Sequence, residues 1–256
     1  MYTTPTATRE LAFPGPLSRG SKGTSVKRLQ EWLCHGGSAT AIDSDFGPAT
    51  ERALKAFSTG QGRTARGALD NPTWGLLTAP LQSALSVAPE GASLPVALRA
   101  TAQAHLAVHP REFGGDNCGP WVRLYTDGNE GSEWLWCAGF ASFVLRQACA
   151  ALGVRAPIKG SVSCDSLAAQ AKTAGRFVSG QSLQDGTVTW SALGACCIFL
   201  VRRTSTDWTH TGFALQGSGE TFATIEGNTN DDGSSNGYEV CARTRSVSGK
   251  DFITLG

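Results

Sequence analysis

Four residues of the chain are of the types that nucleophilic acyl chemistry uses: Cys137, His210, Glu226 and Asn228. Cys137 stands in EWLWCAGFASFVLRQ, where an aromatic pair gives way to the pattern of an amphipathic helix. Backbone N–H groups and the helix dipole favour a thiolate at a helix start. Free cysteine is also among the most buried residue types, so the neighbours of Cys137 must decide its role. His210 opens a strand-like run, DWTHTGFAL, and is the one histidine in the second half of the sequence. Glu226 and Asn228 lie two apart in ATIEGNTN, which on a regular strand gives them a common face. The segment GSGE, residues 217–220, is a hairpin turn between these runs and brings His210 opposite Glu226 or Asn228, within one or two residues. A thiol beside an imidazole that a carboxylate or amide orients can attack a carbonyl carbon.

Elements must position these groups, and the composition bounds them. The 256 residues suffice for two domains. Lys plus Arg, 22, nearly balances Asp plus Glu, 21, and no basic stripe is present, so nucleic acid is not an expected partner. The start, MYTTPTATRELAFPG, lacks a basic region followed by an apolar one, so synthesis in the cytoplasm without a signal peptide is expected. The longest apolar run, near Leu193–Val201, is too short to insert in a membrane, which takes about 20 residues. Eight cysteines without an export signal are expected as reduced thiols. Cys149 and Cys164 are read as packing residues, and the Cys196–Cys197 doublet as neighbours on opposite faces of a strand. With no CxxC pair and four histidines, neither metal nor cofactor is expected.

Residues 1–16 read as an N-terminal extension and 17–78 as short helices joined by glycine-rich turns. SVKRLQEWL places Val26, Leu29 and Leu33 on one face. Gly47 and Pro48 open a second helix, with Glu51 in its first turn and Ala53, Leu54 and Phe57 as its apolar side. A third starts at DNPTWGLL, with Asn71 as N-cap and Pro72 at the first helical position. The expected core is Leu17, Val26, Leu29, Leu33, Phe46, Leu54, Phe57, Trp74 and Leu77. Residues 79–95, APLQSALSVAPEGASLP, read as a linker. A chain beginning near Pro95 would then carry the whole second domain, residues 96–256. That domain starts with a helix over about 96–108 and continues with the Cys137 helix. The strand-like runs GACCIFLVRR, THTGFALQG, TFATIEGN, YEVCARTR and DFITL follow, an α+β order.

LSRGSKGTSVKRLQEWL, IDSDFGPATERALKAF and GALDNPTWGLL together resemble the three-helix peptidoglycan-binding module of wall hydrolases. Ser58 stands where that family usually has Gln. GGDNCGPWV, WCAGFASFVL, HTGFAL and TIEGNT together resemble the CHAP domain, a cysteine- and histidine-dependent amidohydrolase/peptidase class with a papain-like fold. The match spans about residues 96–256 and departs at Gly194-Ala195, where the family has Gly-Asp, and in lacking the Asp-rich calcium loop of some members.

The resemblance implies that Cys137 is the nucleophile and His210 the general base, with Glu226 and Asn228 orienting the ring. Asn117 and Trp136 are candidates for an oxyanion or substrate contact. It also implies an endolysin-like monomer that cuts an amide of bacterial peptidoglycan, with its action on the cell wall. Other readings are a secreted antibacterial effector amidase or wall-remodelling hydrolase of the same fold, a non-catalytic wall-binding or virion structural protein, and a papain-like hydrolase of protein conjugates.

Overall fold

A computed structural model describes residues 1–87, 89, 91–230 and 236–256. In chain order come α1 (Pro5–Leu11), β1 (Leu17–Ser18), α2 (Thr24–His35), α3 (Pro48–Gly60), β2 (Ala68–Leu69) and α4 (Asn71–Leu77). Next are α5 (Ala79–Leu85), α6 (Leu94–Ala107), α7 (Pro120–Tyr125), α8 (Cys137–Leu152) and α9 (Cys164–Thr173). Then follow β3 (Phe177–Ser179), α10 (Gly180–Gln184), a 3₁₀ turn at Trp190–Leu193, and β4 (Cys196–Thr204). The last strands are β5 (Asp207–Ser218), β6 (Thr221–Thr229), β7 (Glu239–Ser246) and β8 (Lys250–Ile253). Helices and an antiparallel sheet give the chain a mixed α and β character.

The chain forms two compact units, and their boundaries differ from those expected. One holds residues 3–83 and 111–132; the other holds 1–2, 84–110 and 133–256. In the first, every residue expected in the core is buried, from Leu17 to Leu77. Leu17 pairs with Leu69 in the short β1–β2 ladder. Gly47 caps α3 and Pro48 begins it, as the sequence suggests. The cap of α4 is Asp70 instead of Asn71, because the Asp70 carboxylate accepts the Thr73 N–H at 2.8 Å.

Residues 111–132 join this unit through charge. The Arg123 guanidinium on α7 donates to Glu10 of α1 at 2.8 Å, to Glu31 of α2 at 2.6 Å and to Glu130 at 2.6 Å. Glu10 and Glu31 are buried, so Arg123 supplies the countercharge that lets two carboxylates sit away from water. Residues 1–16 are therefore not an extension: α1 belongs to the helical unit, while the Tyr2 ring meets Phe143 edge-on at 5.4 Å in the other unit.

Most of the expected linker is also structured. Leu81, Ala84 and Leu85 are buried along α5, the spacing of an apolar helix face. Ala88 and Glu90 of that stretch lie outside the described residues.

The sheet of the second unit has the order β3-β8-β4-β5-β6-β7 and is antiparallel at each pairing. Phe199, Phe222 and Phe252 pack together, and Trp190 leans on the latter two. Helix α8 packs on β5 and β6, with Phe140 meeting Phe213 at 5.6 Å. Cys196 faces Leu215 and Cys197 faces Ala214, so the doublet alternates as expected.

The β5–β6 hairpin pairs Phe213 with Ile225 and Ala214 with Thr224, one residue beyond the expected register. The turn lies one position later than expected, pairing Ser218 with Thr221, and a bulge between Ala214 and Gly217 takes back part of that displacement. Gly217 is required there, because a Cβ would lie 2.4 Å from the Trp190 ring. The turn itself is Gly219–Glu220, with Gly219 at φ +58°.

Candidate active site

The site is assembled in the sheet-containing unit by the first residue of α8 and by three neighbouring strands. Cys137 is the first helical residue of α8, and the helix begins with Trp136 in the capping position. At that place the first-turn N–H groups have no partner within the helix and present positive charge to the sulfur. Cys137 is 5% exposed.

His210 on β5 is the cationic partner of Cys137: the ring lowers the thiol's pKa and the sulfur raises the ring's. Its Nε2 is 2.8 Å from Glu226 Oε2, so Nδ1 is the ring nitrogen left for the sulfur. Glu226 on β6 is fully buried. Its Oε2 also accepts from Arg245 Nη2 at 2.6 Å, while Oε1 accepts from Arg245 Nε at 2.8 Å and from Thr224 Oγ1 at 2.5 Å. Arg245, on β7, thus grips the carboxylate with two nitrogens, which fixes its plane and its charge.

Charge runs along this chain in one sense. Burial is the largest influence on Glu226 and pushes its pKa up, but Arg245 and His210 together outweigh it and hold the carboxyl at about 2. Burial likewise disfavours a charged His210, yet the thiolate on one side and Glu226 on the other raise the ring to about 9. Cys137 is held well below an ordinary thiol, first by a hydrogen bond from Cys164, against the opposing effect of burial, then by His210 and the Thr211 backbone. These shifts all favour a thiolate–imidazolium pair backed by a buried carboxylate.

Asn228 is brought to the same site with a different task. Its Oδ1 accepts the Trp136 N–H at 3.1 Å, and its Nδ2 donates to Asn236 Oδ1 at 3.0 Å and to the Gly237 carbonyl at 2.5 Å. It pins the backbone that opens α8, whereas the carboxylate of Glu226 orients the imidazole. The common face expected of Glu226 and Asn228 is lost because β6 bulges between Glu226 and Thr229, with Asn228 at φ +54°. Gly227 lies inside this bulge, and a Cβ there would meet Phe140 and Trp136 at 2.8 Å.

Two further expectations change. Asn117 lies in the helical unit, where it ties a loop: its N–H donates to Glu112 at 2.8 Å, its carbonyl accepts from Gly131 at 2.8 Å, and its Nδ2 donates to the Ser132 carbonyl at 3.3 Å. Trp136 is fully buried, so its indole is core and offers no surface to a substrate; its neighbour Leu135 is the exposed one, at 49%. Cys164 is also more than a packing thiol, since its Sγ lies 4.0 Å from Cys137 Sγ.

Sequence reasoning missed Arg245, Thr224 and Cys164. Thr224 had a local signal, standing two residues before Glu226 on the same strand. Arg245 and Cys164 become neighbours only through strand pairing and helix packing. No family model, curated protein or solved structure matches the chain.

Proposed function

We propose that the chain is a cysteine hydrolase that cuts an amide bond in the peptide part of bacterial peptidoglycan. The observation that supports this reading best is His210 held at 2.8 Å by the buried Glu226 in the same unit as Cys137, which opens α8. The substrate class rests on the sequence resemblance of residues 17–77 to a peptidoglycan-binding module and of residues 96–256 to the CHAP class. Residues 17–77 would hold the enzyme on an insoluble polymer and raise the local substrate concentration.

In the proposed reaction the Cys137 thiolate attacks the amide carbon, and the carbonyl π electrons move to oxygen. The Cys137 backbone N–H, at the helix start, is placed to donate to that oxyanion. The tetrahedral adduct collapses, the C–N bond breaks, and the His210 imidazolium gives its proton to the departing amine. Neutral His210 then takes a proton from water as the water attacks the thioester. Collapse expels the thiolate and regenerates the ion pair. Glu226 stays ionised throughout and stabilises the imidazolium.

Cys137→Ala should abolish release of soluble fragments from purified peptidoglycan while leaving co-sedimentation with it intact. Mass spectrometry of fragments from the wild-type digest identifies the bond: a free muramic acid lactyl group marks an amidase, and cut peptides mark an endopeptidase. A Cys137→Ala chain that keeps most of the lytic rate refutes the cysteine mechanism.

A further inference from the structure

Cys137 has a second thiol for company, and hydrolysis does not need one. Cys164 is the first residue of α9, 8% exposed, and its Sγ is in contact with Cys137 Sγ at 4.0 Å. The two cysteines open two different helices. No disulfide joins any of the cysteines among the described residues. Other thiols are placed differently: Cys34 donates to the Thr40 carbonyl and Cys118 to the Asp116 carbonyl. A disulfide has sulfurs about 2.05 Å apart, so each sulfur here must move about 1 Å to form one.

We propose that Cys137 and Cys164 form a site of reversible oxidative modification, in which a peroxide oxidises Cys137 and Cys164 resolves the product as a disulfide. The reversible loss of hydrolysis rests on the function proposed above; the pairing of the two sulfurs does not.

The order of events follows from the charges. The Cys137 thiolate attacks one oxygen of hydrogen peroxide, the O–O bond breaks, and the departing hydroxide takes the His210 proton to become water. Cys137 is now a sulfenic acid. Cys164 starts as a neutral thiol, because its hydrogen bond to Cys137, burial and the adjacent negative sulfur all oppose its ionisation. Oxidation of Cys137 removes that negative charge. The Cys164 sulfur then displaces the sulfenic hydroxyl, its proton leaves with that hydroxyl as a second water, and the S–S bond closes. The two sulfurs lose two electrons in all, and one peroxide becomes two waters. A resolving thiol in contact protects the nucleophile from irreversible sulfinic and sulfonic acids.

The test uses the full chain, hydrogen peroxide and tryptic mapping under non-reducing conditions after blocking free thiols. Cys137 falls in the peptide 124–146 and Cys164 in 160–172. Expected is a species joining these peptides, about 2 Da lighter than their sum. Lysis should be lost in step with its appearance and restored by dithiothreitol. In Cys164→Ser and Cys164→Ala, each checked for folding by circular dichroism, the joined species should be absent. Cys137 should advance to sulfinic or sulfonic acid in both, and dithiothreitol should restore nothing. The proposal is overturned if wild-type Cys137 resists peroxide or reaches sulfinic acid without the joined peptide. It is also overturned if dithiothreitol rescues the Cys164 variants as fully as the wild type. An untreated chain that does not lyse peptidoglycan would count against the proposed function alone, since the joined peptide is read by mass.

Discussion

Arg245 and Glu226 set the pH behaviour of the site. Two nitrogens of Arg245 hold the Glu226 carboxylate ionised down to about pH 2, and that charge helps keep His210 protonated up to about pH 9. The signs give two opposite windows. The raised His210 pKa contributes stability that is full below its ordinary value of 6.5 and is lost as pH rises through about 9. The depressed Glu226 pKa contributes stability present above its ordinary 4.5 and lost as pH falls through about 2. In the proposed hydrolysis the imidazolium protonates the amine, so kcat/KM should decline as pH rises through about 9. Arg245→Leu should move that decline to higher pH, because the Glu226 carboxylate then no longer shares its charge with a guanidinium and holds the ring proton more tightly. An unmoved decline in Arg245→Leu would show that the arginine does not act through Glu226. Cys137, His210 and Glu226 were legible in the sequence because each sits in a local pattern suited to its chemistry. Arg245 was not, since its position beside Glu226 depends on the pairing of β6 with β7.

At the scale of elements, α8 must hold its first residue still while the rest of the helix packs. Gln147 on α8 is buried and satisfied at both ends of its amide: Oε1 lies 2.9 Å from His105 Nε2 on α6, and Nε2 donates to the Ala84 carbonyl at 2.7 Å. Burial holds His105 neutral, down at about pH 4, with the Gln147 bond opposing that shift. Gln147→Leu fills the space but removes both hydrogen bonds, and should cost about 1–3 kcal/mol in chemical denaturation at neutral pH. A loss under about 0.5 kcal/mol would mean that this amide does not secure α8. Helix starts and core faces were legible because apolar spacing and capping residues are local signals. The strand register was less so: it shifts at bulges between Ala214 and Gly217 and between Glu226 and Thr229, where Gly217 and Gly227 leave room for the Trp190, Trp136 and Phe140 rings. The second bulge is why Asn228 holds a backbone N–H while Glu226 alone of the pair serves the imidazole.

At the scale of the whole molecule, sequence composition places the domain boundary near 79–95, while the fold places residues 111–132 with the helical unit. The cause is long-range: Arg123 finds Glu31 and Glu10, residues 92 and 113 positions away, and Trp121 packs on Trp32. No window of the sequence contains these partners together. A chain beginning at Pro95 would therefore strip α7 of its cover and expose Trp121, Val122, Leu124 and Tyr125, all buried in the full chain. Such a chain should bind a hydrophobic dye and self-associate, and should lose solubility relative to the full chain. A truncated chain that stays monomeric, binds no dye and melts as cooperatively as the full chain would return residues 111–132 to the sheet-containing unit.

The coupling of Cys137 to His210 is the central claim, and the rate of Cys137 alkylation by iodoacetamide as a function of pH tests it most directly. A free thiol reacts in proportion to its thiolate and slows about tenfold per pH unit below about 8.5. Cys137 should stay reactive well below that pH, and His210→Ala should return it to the ordinary titration. Glu226→Gln should weaken the low-pH reactivity less, while slowing hydrolysis by about a hundredfold. An ordinary thiol titration in the wild type, unchanged in His210→Ala, would contradict the ion pair and with it the assignment of the site.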